Sequence, residues 1–270
     1  LFTWKVAPAL VSGNCVVAKP SEITPVTAYL LSTWVKEAGF PDGVFNIIHG
    51  LGSEVGDALI RHPKVTAISF TGGTATGAHI ASVTAPKFKK LSLELGGKNA
   101  AIIFDDCDFD DALATTLRSS FANQGQICLC GSRILVEKSL YSRFRDALVA
   151  KAKKMKVGDP MDPSTKMGAV VSKDHRDKIL ASIELAKTEG GKILCGGEKT
   201  SPEGLPHLQN GYYVQPTIIE GLSPNCRVNQ EEIFGPVVTI QPFENEEEAL
   251  EMANNSEYGL AATVWTNDLK

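Results

Sequence analysis

Short apolar runs alternate with amphipathic stretches through the first third of the chain. Segments 15–18, 44–48, 65–70 and 90–95 read as strands, and 25–38, 53–61 and 75–83 between them read as helices. An amphipathic helix over 1–10 precedes them, with Pro8 marking a kink or its end. Apolar strands separated by helices predict a parallel sheet covered on both faces. Gly96-Gly97 is a natural hinge, which divides the chain into 1–95 and 96–270. The pattern then restarts with strands at 99–104, 134–137, 191–195, 213–219, 237–243 and 261–265. Helices are expected at 108–121, 139–155, 172–188 and 246–254, and polar loops at 158–163 and 201–211. Asp105, Asp106, Asp108, Asp110 and Asp111 crowd the start of helix 108–121, where the helix dipole favours negative charge. The fold class is α/β, with a Rossmann-type parallel sheet followed by a second α/β domain.

Composition narrows the function classes. The chain has 270 residues, 43% hydrophobic and 21% charged, in the range of globular proteins. A net charge of −4 offers no general basic patch, so a nucleic-acid partner is not expected. No apolar run reaches the ~18 residues a membrane span needs, and 6–18 is broken by Pro8 and Gly13. The six cysteines are scattered, which fits a reducing, cytoplasmic setting. Cys128-x-Cys130 has no second Cys or His pair at ligand spacing, which argues against a metal.

The candidate chemistry centres on Phe121-Ala-Asn-Gln-Gly-Gln-Ile-Cys-Leu-Cys-Gly-Ser-Arg133. A helix runs into this polar, Gly-containing loop and a strand runs out. That suits a thiol nucleophile, Cys128, exposed at one end and held at the other. A buried structural cysteine in a tight turn is the competing reading. Gly50-Leu-Gly52-Ser-Glu-Val-Gly56 and Thr71-Gly72-Gly73-Thr74 each follow a strand and open a helix, so either could hold a dinucleotide pyrophosphate while the other turns the chain. Lys19 and Glu22 stand at the carboxyl end of their strand, placed to grip ribose hydroxyls or simply to start a surface helix. Glu22 would also repel a 2′-phosphate, favouring NAD over NADP. Glu94, at the end of an apolar strand beside the glycine hinge, is expected to be buried, with the raised pKa a general base needs, or paired at a domain interface. Glu231-Glu232-Ile-Phe234-Gly-Pro236 taken alone is an acidic surface turn.

Taken together, in order along the chain, these residues resemble the NAD(P)-dependent aldehyde dehydrogenases. The resemblance rests on Trp4-Lys5, Lys19-Pro-Ser-Glu22, Phe70-Thr-Gly72, Leu93-Glu-Leu-Gly-Gly-Lys98, Asn123-Gln-Gly-Gln-Ile-Cys128, Glu231 to Pro236, Asn254-Asn255 and Tyr258-Gly-Leu-Ala261. It implies an aldehyde dehydrogenase-like fold, with a dinucleotide-binding domain over 1–95 and a catalytic domain over 96–270. It implies Cys128 as nucleophile, Glu94 as general base and Lys5 close to that base. It also implies NAD held by Lys19, Glu22, Thr71, Gly72, Gly73, Leu95, Glu232 and Phe234. Trp4 would line the substrate tunnel. Gly73 stands where many members carry Ser, so one hydroxyl contact to the pyrophosphate is lost. The family's Trp-Asn motif, whose Asn helps hold the oxyanion, would precede Leu1, and its C-terminal segment would follow Lys270. The chain therefore resembles the middle of a longer enzyme, expected to be a homodimer or homotetramer.

Within the family, the stretch from Leu117 to Cys130 resembles the 2-aminomuconate semialdehyde dehydrogenase type, also described as a retinal dehydrogenase. Arg118 is a candidate partner for a substrate carboxylate. The alternatives are a CoA-acylating semialdehyde dehydrogenase, whose members usually lack the glutamate found here as Glu94, and a non-catalytic relative.

Overall fold

A computed structural model describes residues 1–202 and 204–268. Backbone contacts divide the chain into two compact units, Leu1–Leu95 and Gly96–Lys270.

In the first unit the elements are α1 (Phe2–Val11), β1 (Val16–Ala18), α2 (Val26–Glu37), β2 (Phe45–Ile47), α3 (Asp57–Arg61), β3 (Ala67–Thr71), α4 (Thr74–Thr84) and β4 (Lys90–Glu94). Pro8 lies inside α1 and does not end it. The strands pair in parallel, as expected, but two by two: β1 with β2 and β3 with β4. No continuous four-stranded ladder forms among them. The expected cover is also incomplete. Four of the five residues of β4 are exposed. The outer face of α2 presents Val26, Tyr29, Leu30 and Trp34 to solvent.

In the second unit the elements are β5 (Ala100–Ile103), α5 (Phe109–Phe121), β6 (Arg133–Glu137), α6 (Lys138–Ala152), α7 (Lys173–Thr188) and β7 (Lys192–Cys195). The short pair β8 (Lys199–Thr200) and β9 (Tyr213–Val214) follows, then β10 (Thr217–Glu220), α8 (Arg227–Gln230), β11 (Val237–Phe243), α9 (Glu246–Asn254) and β12 (Ala262–Trp265). Six strands form one sheet in the order β12-β5-β6-β11-β10-β7, parallel except for β7. Period-two alternation splits its core. Ile134, Val136, Ile218 and Ile240 pack on one face with Leu113, Phe121, Phe144 and Leu148 from α5 and α6. On the other face, Ile219 and Val237 meet Ile179 and Ile183 of α7, while Leu135 and Phe243 meet Ala249 of α9. Asp108, Ser172 and Asn245 cap α5, α7 and α9 by accepting the N–H three residues on, which satisfies amides the helices leave open.

One expected strand is corrected. Segment 213–219 is two strands, β9 and β10, belonging to different sheets. Pro216 has no N–H to donate, and its neighbours look opposite ways: Gln215 N–H donates to Glu198 O at 3.1 Å, and Thr217 N–H to Pro236 O at 2.8 Å.

Arg133, at the start of β6, is 4% exposed. Its guanidinium donates to Lys98 O (2.9 Å), Met252 O (2.7 Å), Ala253 O (2.7 Å) and Asn255 O (3.5 Å). It thereby satisfies carbonyls at the C-terminus of α9 and ties that helix to the strand edge. Arg133→Met is expected to destabilise the protein by roughly 3–5 kcal/mol, because buried carbonyls lose their donors. Urea unfolding measures this, and a midpoint equal to wild type would refute it.

Candidate active site

In the first unit the candidate residues gather at the carboxyl ends of the strands. Lys19 follows β1. Its ammonium donates to Pro20 O (2.7 Å), Gly50 O (3.1 Å) and the Glu22 carboxylate (3.3 Å). It thus joins two features that stand apart in the sequence, the Lys-Glu pair and the glycine turn after β2. The Glu22 backbone N–H, then the Lys19 ammonium, holds the Glu22 carboxyl below its ordinary range. Gly50 has φ +148°, and a Cβ there would lie 2.3 Å from Val55 Cγ2.

The two glycine turns differ in what their amides do. After β2, the N–H groups of Glu54, Val55 and Gly56 all donate to Leu51 O, at 3.2, 3.0 and 3.4 Å, in a π-helical turn over Gly52–Gly56. Those amides are already engaged. After β3, Gly73 is the N-cap of α4 and no side chain caps that helix. Gly72 N–H donates to Glu94 O at 3.1 Å. A Cβ on Gly72 would lie 2.5 Å from the Phe70 ring, and one on Gly77 2.5 Å from Leu95 Cδ2. Leu95 therefore packs on α4, and glycine lets the backbone come close. The second turn, with a three-turn helix behind it, can take an anion on free amides.

Thr71 is register partner of Glu94 across β3 and β4. Glu94 is exposed, which corrects the expectation of burial: β4 pairs on one side only and its faces are open. Lys5 reaches from α1 to Ser69 Oγ at 2.9 Å, on the strand beside β4. Trp4 is 71% exposed.

In the second unit the candidate residues gather at the amino ends of the strands. After α5 the backbone turns left-handed at Asn123 (φ +49°), Gln124 (φ +58°) and Gly125 (φ +70°). Only glycine fits the third position, since a Cβ there would lie 2.1 Å from Gly235 O. A tight turn follows, with Cys130 N–H donating to Ile127 O at 3.0 Å, so Cys128 stands at its second position. Gln126 Oε1 accepts from Val171 N–H at 3.0 Å, and the Asn99 amide donates to Cys128 O (2.6 Å) and Cys130 O (3.0 Å). Half-buried Cys128 lines a cavity of about 20 Å³ together with Gly97, Gly125, Glu232 and Phe234. The Glu232 carboxylate accepts the Gly97 N–H at 3.0 Å and lies over Gly96. Phe234 has φ +57°, and its carbonyl lies 2.7 Å from His175 Nε2.

The other thiol of the loop behaves differently. Burial pushes Cys130 up to about 11, and its Sγ faces Ala122 O at 3.9 Å. A neutral thiol is a poor nucleophile, so Cys130 reads as structural. Arg118 is exposed in the last turn of α5, where a cation suits the helix dipole. All six cysteines are free thiols. Among the described residues, no group of three or more His, Cys, Asp or Glu gathers as a metal site.

Motif reading missed Asn99 and His175, which bond to the Cys128 turn and to Phe234 O. Asn99 carries a faint signal, a polar residue opening an otherwise apolar strand. His175 carries none, because the residue it holds is 59 positions away.

The geometry describes a half-buried thiol in one unit and a glycine turn with free helix amides in the other. The aldehyde dehydrogenase family profile matches residues 1–270, and the chain belongs to that family. It is 53% identical to a 2-aminomuconic semialdehyde dehydrogenase of Danio rerio and 48% identical to a 2-aminomuconic 6-semialdehyde dehydrogenase of a Pseudomonas species, covering 100% of this chain and 55% of each relative. A betaine aldehyde dehydrogenase from Staphylococcus aureus, solved in complex with NAD+, is 45% identical with TM-score 0.95, over 99% of this chain and 52% of that one. The chain thus spans about half the length of the curated relatives it matches.

Lys98 gives a pH signature. It is 2% exposed, and burial, then Arg133 repulsion, pushes its ammonium down to about 7. The unfolded lysine keeps its proton up to ~10.4. Between about pH 7 and 10 the unfolded state therefore binds more protons, so the Lys98 contribution makes stability rise with pH in that window and is flat below it. Lys98→Met is expected to stabilise by a few kcal/mol at pH 7, with the gain shrinking towards pH 10. Urea unfolding at pH 7, 8.5 and 10 measures the difference, and a constant gain would refute the assignment.

Proposed function

We propose that the full-length protein oxidises an aldehyde to a carboxylate with NAD+, using Cys128 as nucleophile and Glu94 as base. The observation that carries this reading is the loop at Cys128. Its backbone is fixed by left-handed residues and by Gly125 against Gly235, and it sets the half-buried thiol beside the Glu232 carboxylate and Phe234. The family match over the whole chain supports it.

The Cys128 thiolate adds to the aldehyde carbon, and its backbone N–H donates to the oxyanion, a contact worth ~3–4 kcal/mol in a dry site. NAD+ supplies the hydride acceptor when bound. Loss of hydride leaves a thioester on Cys128. Glu94 takes a proton from water, the water attacks the acyl carbon, the C–S bond breaks and the carboxylate leaves. Lys5, bonded to Ser69 beside β4, would steady the base strand.

The residues present fit the dinucleotide. Lys19 and Glu22 would hold the adenine ribose, and the uncapped start of α4 behind Thr71, Gly72 and Gly73 would hold the pyrophosphate. Leu95 would shape that turn through its packing on Gly77. Glu232 would hold the nicotinamide ribose with Phe234 beside it, and Trp4 would line the substrate path. Relatives named for 2-aminomuconic semialdehyde favour an acidic semialdehyde as substrate, with retinal a further candidate. No helix among the described residues is long and apolar enough to cross a membrane. A cytoplasmic homodimer or homotetramer completes the proposal.

Full-length protein with NAD+ is expected to form NADH with at least one of 2-aminomuconate semialdehyde, a simple aliphatic aldehyde and retinal. No NADH with any of them would sink the reading. Glu94→Gln should retain a single-turnover NADH burst while steady-state turnover falls at least ~100-fold, as for a general base acting after hydride transfer. Loss of the burst as well would move Glu94 to an earlier step. Acyl transfer to CoA faster than to water would favour the CoA-acylating alternative.

Arg118 is proposed to meet the substrate carboxylate. Arg118→Ala is then expected to lower kcat/KM for a dicarboxylic semialdehyde at least ~10-fold more than for a neutral aldehyde, the scale of one lost charged hydrogen bond. Equal losses with both substrates would remove Arg118 from the site.

A further inference from the structure

We propose that Asn99 is a positioning residue for the reaction, holding the Cys128 turn in its reactive geometry through two carbonyls. The inference rests on the reading of Cys128 as nucleophile. Asn99 directly precedes β5 and is 5% exposed. Its amide spends both N–H groups on one turn, on Cys128 O at 2.6 Å and Cys130 O at 3.0 Å. Its Oδ1 accepts Ala261 N–H at 3.1 Å. Swapping the amide would set its oxygen against the two carbonyls, so the network fixes the orientation.

Among the described residues the turn has one internal backbone–backbone bond, Cys130 N–H to Ile127 O. The carbonyls of its second and fourth residues would otherwise be free to rotate. Asn99 locks both, one on each side of Leu129, and so fixes the peptide planes that aim the Cys128 Cα–Cβ bond. Its own backbone carbonyl accepts Ser132 N–H (3.2 Å) and Arg133 N–H (3.1 Å), so the clamp is anchored in the β5–β6 ladder. Gly97 backs the same carbonyl: a Cβ there would lie 3.0 Å from Cys128 O and 2.9 Å from Asn99 Oδ1. This clamp acts on the backbone of the nucleophile, at no cost in space on the substrate side.

The test uses the full-length protein and two variants. Asn99→Asp keeps the shape and loses both donors. Asn99→Ser keeps a small polar group that cannot span both carbonyls. Both are expected to lower the NADH burst rate and the alkylation rate of Cys128 by iodoacetamide, mapped by mass spectrometry, roughly 10- to 100-fold, with KM for NAD+ within about 2-fold of wild type. Asn99→Asp carries a further signature. A buried carboxyl facing two carbonyl oxygens is pushed up, and its protonated form regains one donor. Its alkylation rate relative to wild type should therefore recover as pH falls, and that of Asn99→Ser should not. Wild-type burst and alkylation rates in both variants would overturn the proposal, as would deficits that track each other at every pH. Should Asn99→Asp fail to fold, the rates of Asn99→Ser decide alone. Cys128→Ser is the control for the underlying reading: activity surviving it would refute the nucleophile and leave Asn99 without a role to support.

Discussion

Parallel register is the constraint on which the thiol half of the site depends. β5, β6, β11 and β12 run the same way in one sheet, so their amino ends share one edge. Gly97 and Asn99 precede β5, Cys128 precedes β6, Glu232 and Phe234 precede β11, and Ala261 precedes β12. Four stretches spread over more than half the chain, at Gly97–Asn99, Cys128, Glu232–Phe234 and Ala261, arrive together although none adjoins another in sequence. The cofactor-type residues of the first unit follow the opposite rule and leave the carboxyl ends of β1, β2, β3 and β4. Each edge brings a different set of backbone groups to its residues.

At the amino edge those groups are buried and must be paired. Asn99 and Arg133 do this between them. One serves the carbonyls of the Cys128 turn, the other those of Lys98 and the end of α9. Two polar side chains stand where an apolar seam could have been, and besides pairing buried carbonyls they give direction. Hydrogen bonds set where a carbonyl points, whereas packing alone sets only how close it lies. The adjacent Lys98 is the cost of that edge. An amine is buried beside a guanidinium, and Cys226, Glu232 and Glu231 offset that only in part. Thr239 Oγ1 and Ser132 Oγ are left without partners near the same edge, a further sign that it is not built for stability alone.

Much of this was legible in the sequence, and the failures have physical causes. Period-3.6 and period-2 patterns placed α9 and β11 to the residue and most other elements within one or two. The missed break at Pro216 is a change of hydrogen-bonding partner between Gln215 and Thr217, and periodicity carries no information about a change of sheet. Glu94 was expected buried because its strand is apolar, yet apolarity of a strand describes its neighbours only when neighbours lie on both faces. The Cys128 loop, the Lys19–Glu22 pair and the Glu232 turn stand out as motifs in the sequence because each is local. Asn99 and His175 act across 29 to 59 positions, and nothing local marks such a partner.

The two glycine turns show what a motif leaves out. Both follow a strand, both open a helix, and as strings neither is the better phosphate site. Hydrogen-bond accounting separates them. An anion needs N–H groups not already spoken for, and the turn after β2 sends three of its amides to Leu51 O. The turn after β3 leads into a helix of eleven residues whose first amides no side chain caps, at the positive end of the helix dipole. The glycines of the first turn serve its own folding and let Lys19 reach Gly50 O. Those of the second let the chain pass Phe70 and let Leu95 settle on α4. A glycine in such a turn is evidence for close approach, and only the fate of the neighbouring amides decides whether the thing approached is the protein itself or a phosphate.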